Sequence, residues 1–558
     1  METKKMSPIR RFWLLLKPDR LEIRNLYIYA IIIGLLNLVL PIGIQSIINL
    51  IQGGAVSTSW VVLIILVAVA ITMSGILQIN QLRITENLQQ KIFTRAAFEF
   101  TYRIPKIRLE QLFKHYAPEL MNRFFDVVSI QKGITKILID FSSASIQVLF
   151  GLILLSLYHP FFIVFSLLLV FIIVTIFWLT MKRGLRTSLE ESKHKYVLAH
   201  WLEELARSNT TFKLAGRSSL PMNRTNEQTR EYTNAREKHF EVLRWQYSLM
   251  VVFKVLVAVG LLLIGGLLVI DQQMNIGQFV AAEIVILLIV NSVEKVILSF
   301  ETIYDVLTAL EKLGQVTDLE LEREGGIELE EKIEGIELDI NNISYNYPQE
   351  KKQIIDNLSV NIKPQERVVI TGKNNSGKST LLYLVGGLLQ PTNGSISIDQ
   401  IPYNNYEYDH LRSHIGGYLR DETLFEGTLL ENITLGRENI SFKNVKWTID
   451  KLNLSQIIQQ LGDGYHTTII PQGKQFSKST VAKILLARAI VNKPRLLLLE
   501  NSFSVFSNED KESILKFLLS PEHNWTVLLS SSLPIDLPKL IDREIVLENG
   551  EIINQTTN

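Results

Sequence analysis

The 558-residue sequence contains no cysteine, which excludes disulfides, thiolate-bound zinc and cysteine nucleophiles together. It also lacks an excess of either charge. The 57 Lys and Arg offset 56 Asp and Glu to a net +1, which leaves no electrostatic footprint for nucleic acid, and none is expected as a partner. Charge of any kind is sparse, at 20% of residues against 47% hydrophobic, and mean hydropathy is +0.18. Such a composition places part of the chain in lipid, and the length calls for more than one domain.

The apolar content is concentrated before about residue 305, and the remainder reads as ordinary soluble protein with many turn residues. About 20 mostly apolar residues are needed to cross a bilayer, and six stretches qualify: Tyr27–Ile51, Trp60–Ile79, Phe141–Leu157, Pro160–Met181, Leu249–Ile270 and Phe279–Leu298. Seven Lys and Arg precede the first span, ten separate the second from the third, and thirteen separate the fourth from the fifth. The turns 52–59, 158–160 and 271–278 carry none. The positive-inside rule then puts the N-terminus, both long connections and the soluble domain in the cytoplasm of a bacterial inner or plasma membrane protein. No cleavable signal is expected, because the basic N-terminal segment lacks a short apolar region followed by a small-residue cleavage site.

The two long connections, 80–140 and 182–244, are rich in Leu, Glu, Arg and Lys and predict helices projecting beyond the bilayer. Charged residues inside spans need a reason. Lys254 and Glu294 sit at similar depth and invite an ion pair, while Glu283 lies near the opposite end of the sixth span, next to its turn. A packing or interfacial role is favoured for them over contact with a transported molecule.

The motif richest in chemistry is Gly372-Lys373-Asn374-Asn375-Ser376-Gly377-Lys378-Ser379-Thr380, a full match to G-x-x-x-x-G-K-[ST] between a strand-like run (Arg367–Thr371) and a helix-like run (Leu381–Leu389). Glycines let the backbone curl so that N–H groups point at phosphate oxygens, with the helix N-terminus adding its dipole. Lys378 supplies a point charge, and the Ser379 hydroxyl can ligate magnesium. Gly372, Asn375, Ser376, Gly377, Lys378, Ser379 and Thr380 are the expected binding residues for a nucleoside triphosphate.

Six spans, two long connections and such a domain resemble a half-transporter of the ATP-binding cassette (ABC) exporter superfamily, and the resemblance covers nearly the whole chain. Gly265–Glu283 is similar to the turn between the last two spans of these exporters, and Leu88–Ile104 to their first intracellular arm. Ile343–Pro348 looks like the adenine-stacking loop, with Tyr347 at the stacking position. Thr423–Ile433, Leu461–Thr468 and Ala487–Pro494 look like the runs after the Q-loop, before the signature and before the Walker B strand. The resemblance implies an all-α six-helix transmembrane domain (1–315) and an α/β P-loop NTPase domain of ABC type (335–558); the linker between them (316–334) holds the acidic stretch Asp318–Glu331, whose charge and paired glycines suit a solvated segment. The resemblance also implies ATP and Mg²⁺ as cofactors, and as partners a second half-transporter chain in a homodimer or heterodimer, membrane lipid and an unidentified transported substrate.

The catalytic positions depart from that family. Arg420 stands at the Q-loop glutamine, and Phe476-Ser477-Lys478-Ser479-Thr480 replaces L-S-G-G-Q. The Walker B strand Leu496–Leu499 ends in Glu500-Asn501 instead of Asp-Glu, the D-loop aspartate reads Ser507, and Ser531 aligns with the switch histidine. Glu500 keeps a carboxylate for a magnesium-bound water, whereas Asn501 has no basic oxygen for the attacking nucleophile, a loss of about 10²- to 10⁴-fold in rate. Because both signature and base are altered, no dimer containing this chain would have a fully consensus site. The expectation is a membrane protein that binds Mg-ATP and couples domain closure to export, with slow or partner-dependent hydrolysis. The rival is a non-transporting pseudo-ATPase serving as nucleotide sensor or scaffold.

Overall fold

A computed structural model describes residues 6–53, 58–113, 117–348, 350, 352–500, 503–531 and 538–557. The chain divides into two compact units, one of Met1–Pro105 with His115–Leu319 and the other of Lys106–Lys114 with Glu320–Asn558.

The first unit contains six helical stretches long and apolar enough to cross a membrane: Pro8–Gln52, Thr58–Lys106, Ala117–Tyr158, Pro160–Arg207, Leu220–Ile270 and Ile276–Thr317. Each contains one of the six expected spans, and the helices run on well past the apolar segments, as the composition of the long connections predicts. The first is interrupted between Arg20–Asn37 and Val39–Gln52. Pro41 is the cause, since it has no N–H to offer the Asn37 carbonyl four residues earlier. The third contains a π-helical turn at Ile137–Phe141, which shifts the faces of the residues around Asp140.

Apolar side chains from the third to the sixth helices form one core, in which Phe162, Phe253, Val285, Ile289 and Phe300 are at most 1% exposed. Polar residues within it are bonded to one another. Gln246 donates to Thr180 Oγ1 (2.8 Å) and to the Tyr304 hydroxyl (2.7 Å), and Ser188 meets Thr308 at 2.8 Å. The Tyr304 ring lies against Gly184, where a Cβ would come within 2.3 Å of its Cζ. Lys254 and Glu294 form the expected ion pair at 2.6 Å.

In the second unit, a six-stranded sheet runs in the order Glu551–Thr557, Arg543–Glu548, Arg367–Thr371, Thr526–Ser530, Leu496–Leu499, Ile415–Tyr418. All neighbours are parallel except the first pair. Leu496–Leu499 is wholly buried, which is what an uninterrupted apolar run in the middle of a parallel sheet requires. A four-stranded antiparallel sheet (Ile355–Ile362, Leu338–Tyr345, Asn393–Ile398, Ile401–Pro402) belongs to a second core with the other face of Arg367–Thr371.

One segment differs from expectation, and a second does so in part. Lys106–Lys114 belongs to the nucleotide-domain unit although its neighbours on both sides belong to the helical one. Its short helix Leu109–Leu112 is tied down there: Glu110 accepts the Gln390 N–H at 3.0 Å, and the Arg108 guanidinium reaches Gln390 Oε1 at 3.3 Å. The acidic segment, expected to be solvated, is exposed over most of 323–334 but is pinned at two points. Glu322 takes two bonds from Arg412 (2.6 and 2.8 Å), and Leu329 is 2% exposed with its N–H donated to His410. One of its carboxylates, Glu322, is neutralised by arginine, and Leu329 provides the buried apolar contact, while Ile327 stays 47% exposed and is held through backbone bonds to Asn405 and Glu407.

Candidate functional site

The glycine-rich segment follows strand Arg367–Thr371 and opens helix Lys378–Val385. Gly372 has φ +144°, and a Cβ there would lie 2.1 Å from the Leu547 carbonyl oxygen. Gly377, at φ +100°, caps the helix, and Asn375 also adopts a left-handed conformation at φ +64°. These conformations turn successive peptide N–H groups toward one side, as an anion-binding nest needs.

The loop lines a cleft of ≈ 950 Å³ together with Tyr347, Lys352, Arg420, Glu500 and Ser530. Lys378 Nζ bends back over the loop, donating to the carbonyls of Gly372 and Lys373 (2.8 Å each), and burial pushes its ammonium below the ordinary lysine range. Ser379 Oγ donates to Glu500 Oε1 at 2.5 Å, and the Arg420 N–H donates to Glu500 Oε2 at 2.8 Å. Glu500 is only 6% exposed, so these bonds hold a nearly buried carboxylate. The Tyr347 hydroxyl meets Thr380 Oγ1 at 3.1 Å, while its ring stands edge-on to Phe113 (5.1 Å) and Tyr345 (5.2 Å).

The residues present suit a magnesium nucleotide. A hydroxyl and a carboxylate in contact are hard oxygen donors of the kind magnesium takes, with phosphate and water filling the remaining positions. The nest and Lys378 suit a triphosphate, and the aromatic ring of Tyr347 in the same cleft suits a base.

Tyr347, Asn375 to Thr380, Arg420 and Glu500 are thus brought together. Gly372 shapes the loop without lining the cleft. The Phe476–Thr480 segment lies elsewhere: the Ser477 hydroxyl caps helix Lys478–Ile490 by accepting the Thr480 N–H at 3.1 Å, and Lys478 is exposed, while Ser479 follows in the first turn. Ser531 is 6% exposed and its N–H donates to the Ile370 carbonyl, so the serine that lines the cleft is its neighbour Ser530. Ser507 caps helix Asn508–Leu518. Asn501 lies outside the described residues. Lys352 and Ser504 also line the cleft, and neither belongs to a motif that would have singled it out.

Just beyond Arg420, Glu422 is pushed up to about 7 by burial, against the pull of the Leu419 N–H and of Arg488 at 3.6 Å.

The helical unit holds a polar cavity of ≈ 430 Å³ lined by Asn37, Gln78, Gln81, Asp140, Gln147 and Lys295, among others. Asn37 links two of its neighbours, donating to Gln147 Oε1 at 3.1 Å and accepting from Ser74 Oγ at 3.2 Å. Gln147 Nε2 is buried and has no hydrogen-bond partner among the described residues. Sequence reasoning missed this cluster because its members are spread over four apolar spans.

The family description "ABC transporter" matches residues 355–504 and "ABC transporter transmembrane region" matches 24–293. The chain is 31% identical over 249 residues to the uncharacterized ABC transporter ATP-binding protein YfiB of Bacillus subtilis (44% of this chain, 43% of that protein). It is 28% identical over 310 residues to the alpha-hemolysin translocation ATP-binding protein HlyB of Escherichia coli (56% and 43%). A third relative, ABC transporter B family member 29, chloroplastic, of Arabidopsis thaliana, is 30% identical over 252 residues (44% and 39%). The matches span less than half the length of these curated relatives. The fold is that of a bacterial Atm1-family ABC exporter solved with ATP bound, at a TM-score of 0.85 and 18% identity over 96% of this chain and 95% of that one. With a transmembrane region matched by one description and the phosphate-binding loop with three strands of the parallel sheet matched by the other, the chain belongs to the ABC transporters and has the architecture of an exporter half-transporter.

Proposed function

We propose that this integral membrane protein pairs with a second half-transporter chain, binds Mg-ATP in the cleft around Lys378, and couples closure of the nucleotide domains to export of a polar solute, with slow or partner-dependent hydrolysis. The observation that carries the reading is the cleft itself. Phosphate-directed N–H groups, Lys378, the Ser379–Glu500 oxygen pair and Tyr347 line one cavity of nucleotide size. On binding, Lys378 exchanges its two loop carbonyls for phosphate oxygens. Glu500 and Ser379 would hold the metal, and Arg420, in place of a glutamine, brings a fixed cation to the rim.

Slow hydrolysis follows from side-chain chemistry. Asn501 cannot take a proton, and a serine in place of the switch histidine offers no imidazole. Lys478 and Ser479, in place of two glycines at the exposed N-terminus of their helix, obstruct its close approach to a partner's nucleotide. The amide-lined cavity among the spans favours transport over a scaffold role, because an unpartnered buried amide in a membrane domain is a donor available to a polar cargo.

Protein in nanodiscs should bind ATP in a magnesium-dependent manner, and Lys378→Ala should abolish binding. Equal binding by the two would sink the nucleotide role. Asn501→Glu combined with restored signature glycines should raise ATPase activity about 10²-fold or more; consensus-level turnover by the unmodified chain alone would contradict the slow-hydrolysis reading.

A further inference from the structure

We propose that the cavity between the fourth and fifth membrane helices, where their apolar segments end, binds the phosphate headgroup of an anionic phospholipid. The cavity, ≈ 490 Å³, lies between helices Pro160–Arg207 and Leu220–Ile270 and is lined by Leu179, Arg183, Glu241, Arg244, Trp245 and Ser248, among others. Its depth is fixed by sequence. No charged residue occurs between Phe161 and Met181, Lys182 and Arg183 come immediately after, and Arg244 stands five residues before the next apolar run begins at Leu249. The guanidinium groups therefore sit at the level where headgroups meet hydrocarbon.

What sets these two arginines apart from other cations of the same helices that are unpaired among the described residues, such as Arg186 and Arg230, is that both line the cavity. On the same helices, Arg207 pairs with Glu204 and Arg236 with Glu191, but neither Arg183 nor Arg244 forms a hydrogen bond or ion pair through its side chain among the described residues. Two like charges converge on one cavity whose only lining carboxylate, Glu241, pairs with neither. The complement of that arrangement is an anion able to accept two planar forks, and a phosphodiester does so.

The surroundings of the cavity select a lipid over a free anion. Phe171, Val174 and Trp178 on one helix and Val252, Val255 and Leu256 on the other are 54–77% exposed, which provides apolar surface for acyl chains on the hydrocarbon side. Trp245, 54% exposed, places an amphipathic indole at the same boundary. Basic pockets between membrane helices are suited to anionic headgroups for these reasons.

The test is lipid retention by the purified full-length chain, followed by native mass spectrometry with dioleoyl phosphatidylglycerol, dioleoyl phosphatidylcholine and inorganic phosphate as separate probes. Phosphatidylglycerol should be retained at one preferred site, phosphatidylcholine should not compete for it, and millimolar phosphate should not displace it. At about fivefold per cation near a charged lipid surface, Arg183→Gln with Arg244→Gln should weaken retention by about thirtyfold. Lys182→Gln with Arg186→Gln removes the same charge outside the cavity and sets the baseline for general attraction. Glu241→Gln should tighten retention, a gain that a damaged fold would not produce. The proposal is overturned if the cavity pair loses no more than the baseline pair, if phosphatidylcholine is retained equally, if phosphate displaces the lipid, or if Glu241→Gln leaves retention unchanged.

Discussion

Glu500→Asp would install the residue that the ABC family carries at this position, and the geometry says that it will weaken the site. Removing one methylene withdraws the carboxylate by about 1.3 Å, given C–C bonds near 1.5 Å. The bond from Ser379, now 2.5 Å, would open to about 3.8 Å, and that from the Arg420 N–H, now 2.8 Å, to about 4.1 Å, both beyond hydrogen-bonding reach. Hydrogen bonds to a charged group contribute about 1.5–3 kcal/mol each, so recovering one by a small backbone shift still leaves a loss of about 2 kcal/mol. For a domain of this size that lowers the melting temperature by about 4–8 °C. Differential scanning calorimetry of the nucleotide-free chain would record it in the transition that ATP shifts. Glu500→Gln keeps the reach and loses the charge. It should melt closer to wild type than Glu500→Asp while losing more of the magnesium dependence of ATP binding. An Asp variant that melts within about 1 °C of wild type, with the Gln variant melting lower, would refute the claim that side-chain length holds this carboxylate in place.

The raised carboxyl of Glu422 makes a pH prediction. Its folded-state value of about 7 exceeds that of an unfolded glutamate, so the stabilisation associated with its proton is complete below about pH 4 and is lost as pH rises through 7. Wild type should therefore lose stability between about pH 5 and 8 relative to Glu422→Gln, by about 1–3 kcal/mol, and parallel melting curves for the two across that range would exclude it. Gly184→Ala places a Cβ within 2.3 Å of the Tyr304 ring, which is fully buried and fixed by Gln246. It should destabilise the helical unit by about 1–3 kcal/mol in a detergent melt, with partial recovery in Gly184→Ala/Tyr304→Leu; an unaffected Gly184→Ala would show that the helices can separate there at little cost.

The spans and the phosphate loop were legible because each leaves a local signature: an apolar run of fixed length, or a motif of fixed spacing between a strand and a helix. The Lys254–Glu294 pair was legible from depth alone, since two opposite charges at one level of a membrane have few other partners. The polar cavity was not, because Asn37, Gln78, Gln81 and Gln147 converge only through helix rotation and packing that no window of sequence contains. Nor was the allegiance of Lys106–Lys114, which rests on bonds to Gln390 and a ring contact with Tyr347, residues more than two hundred positions away. The exposure of the acidic segment was legible from its charge, whereas the burial of Leu329 and the Glu322–Arg412 pair depend on contacts with residues eighty or more positions away. Within the nucleotide site, the loop was reached by spacing, and Tyr347, Arg420 and Glu500 by resemblance to the ABC exporters, whereas Lys352 and Ser504 line the cleft without belonging to any motif.

The fifth helix, Leu220–Ile270, is an unbroken run of 51 residues. At about 1.5 Å per residue it is about 77 Å long, and a hydrocarbon core of about 30 Å accounts for well under half of that. The remainder is a stiff lever roughly 45 Å in length, pivoting where lipid ends. A tilt of about 10°, small beside the range of inclinations that membrane helices adopt, carries its far tip through about 8 Å, whereas the segment inside the bilayer moves by a fraction of that. Conversely, the same ratio gives a mechanical advantage: a push of a few ångströms at the tip reaches the membrane reduced in distance and multiplied in force.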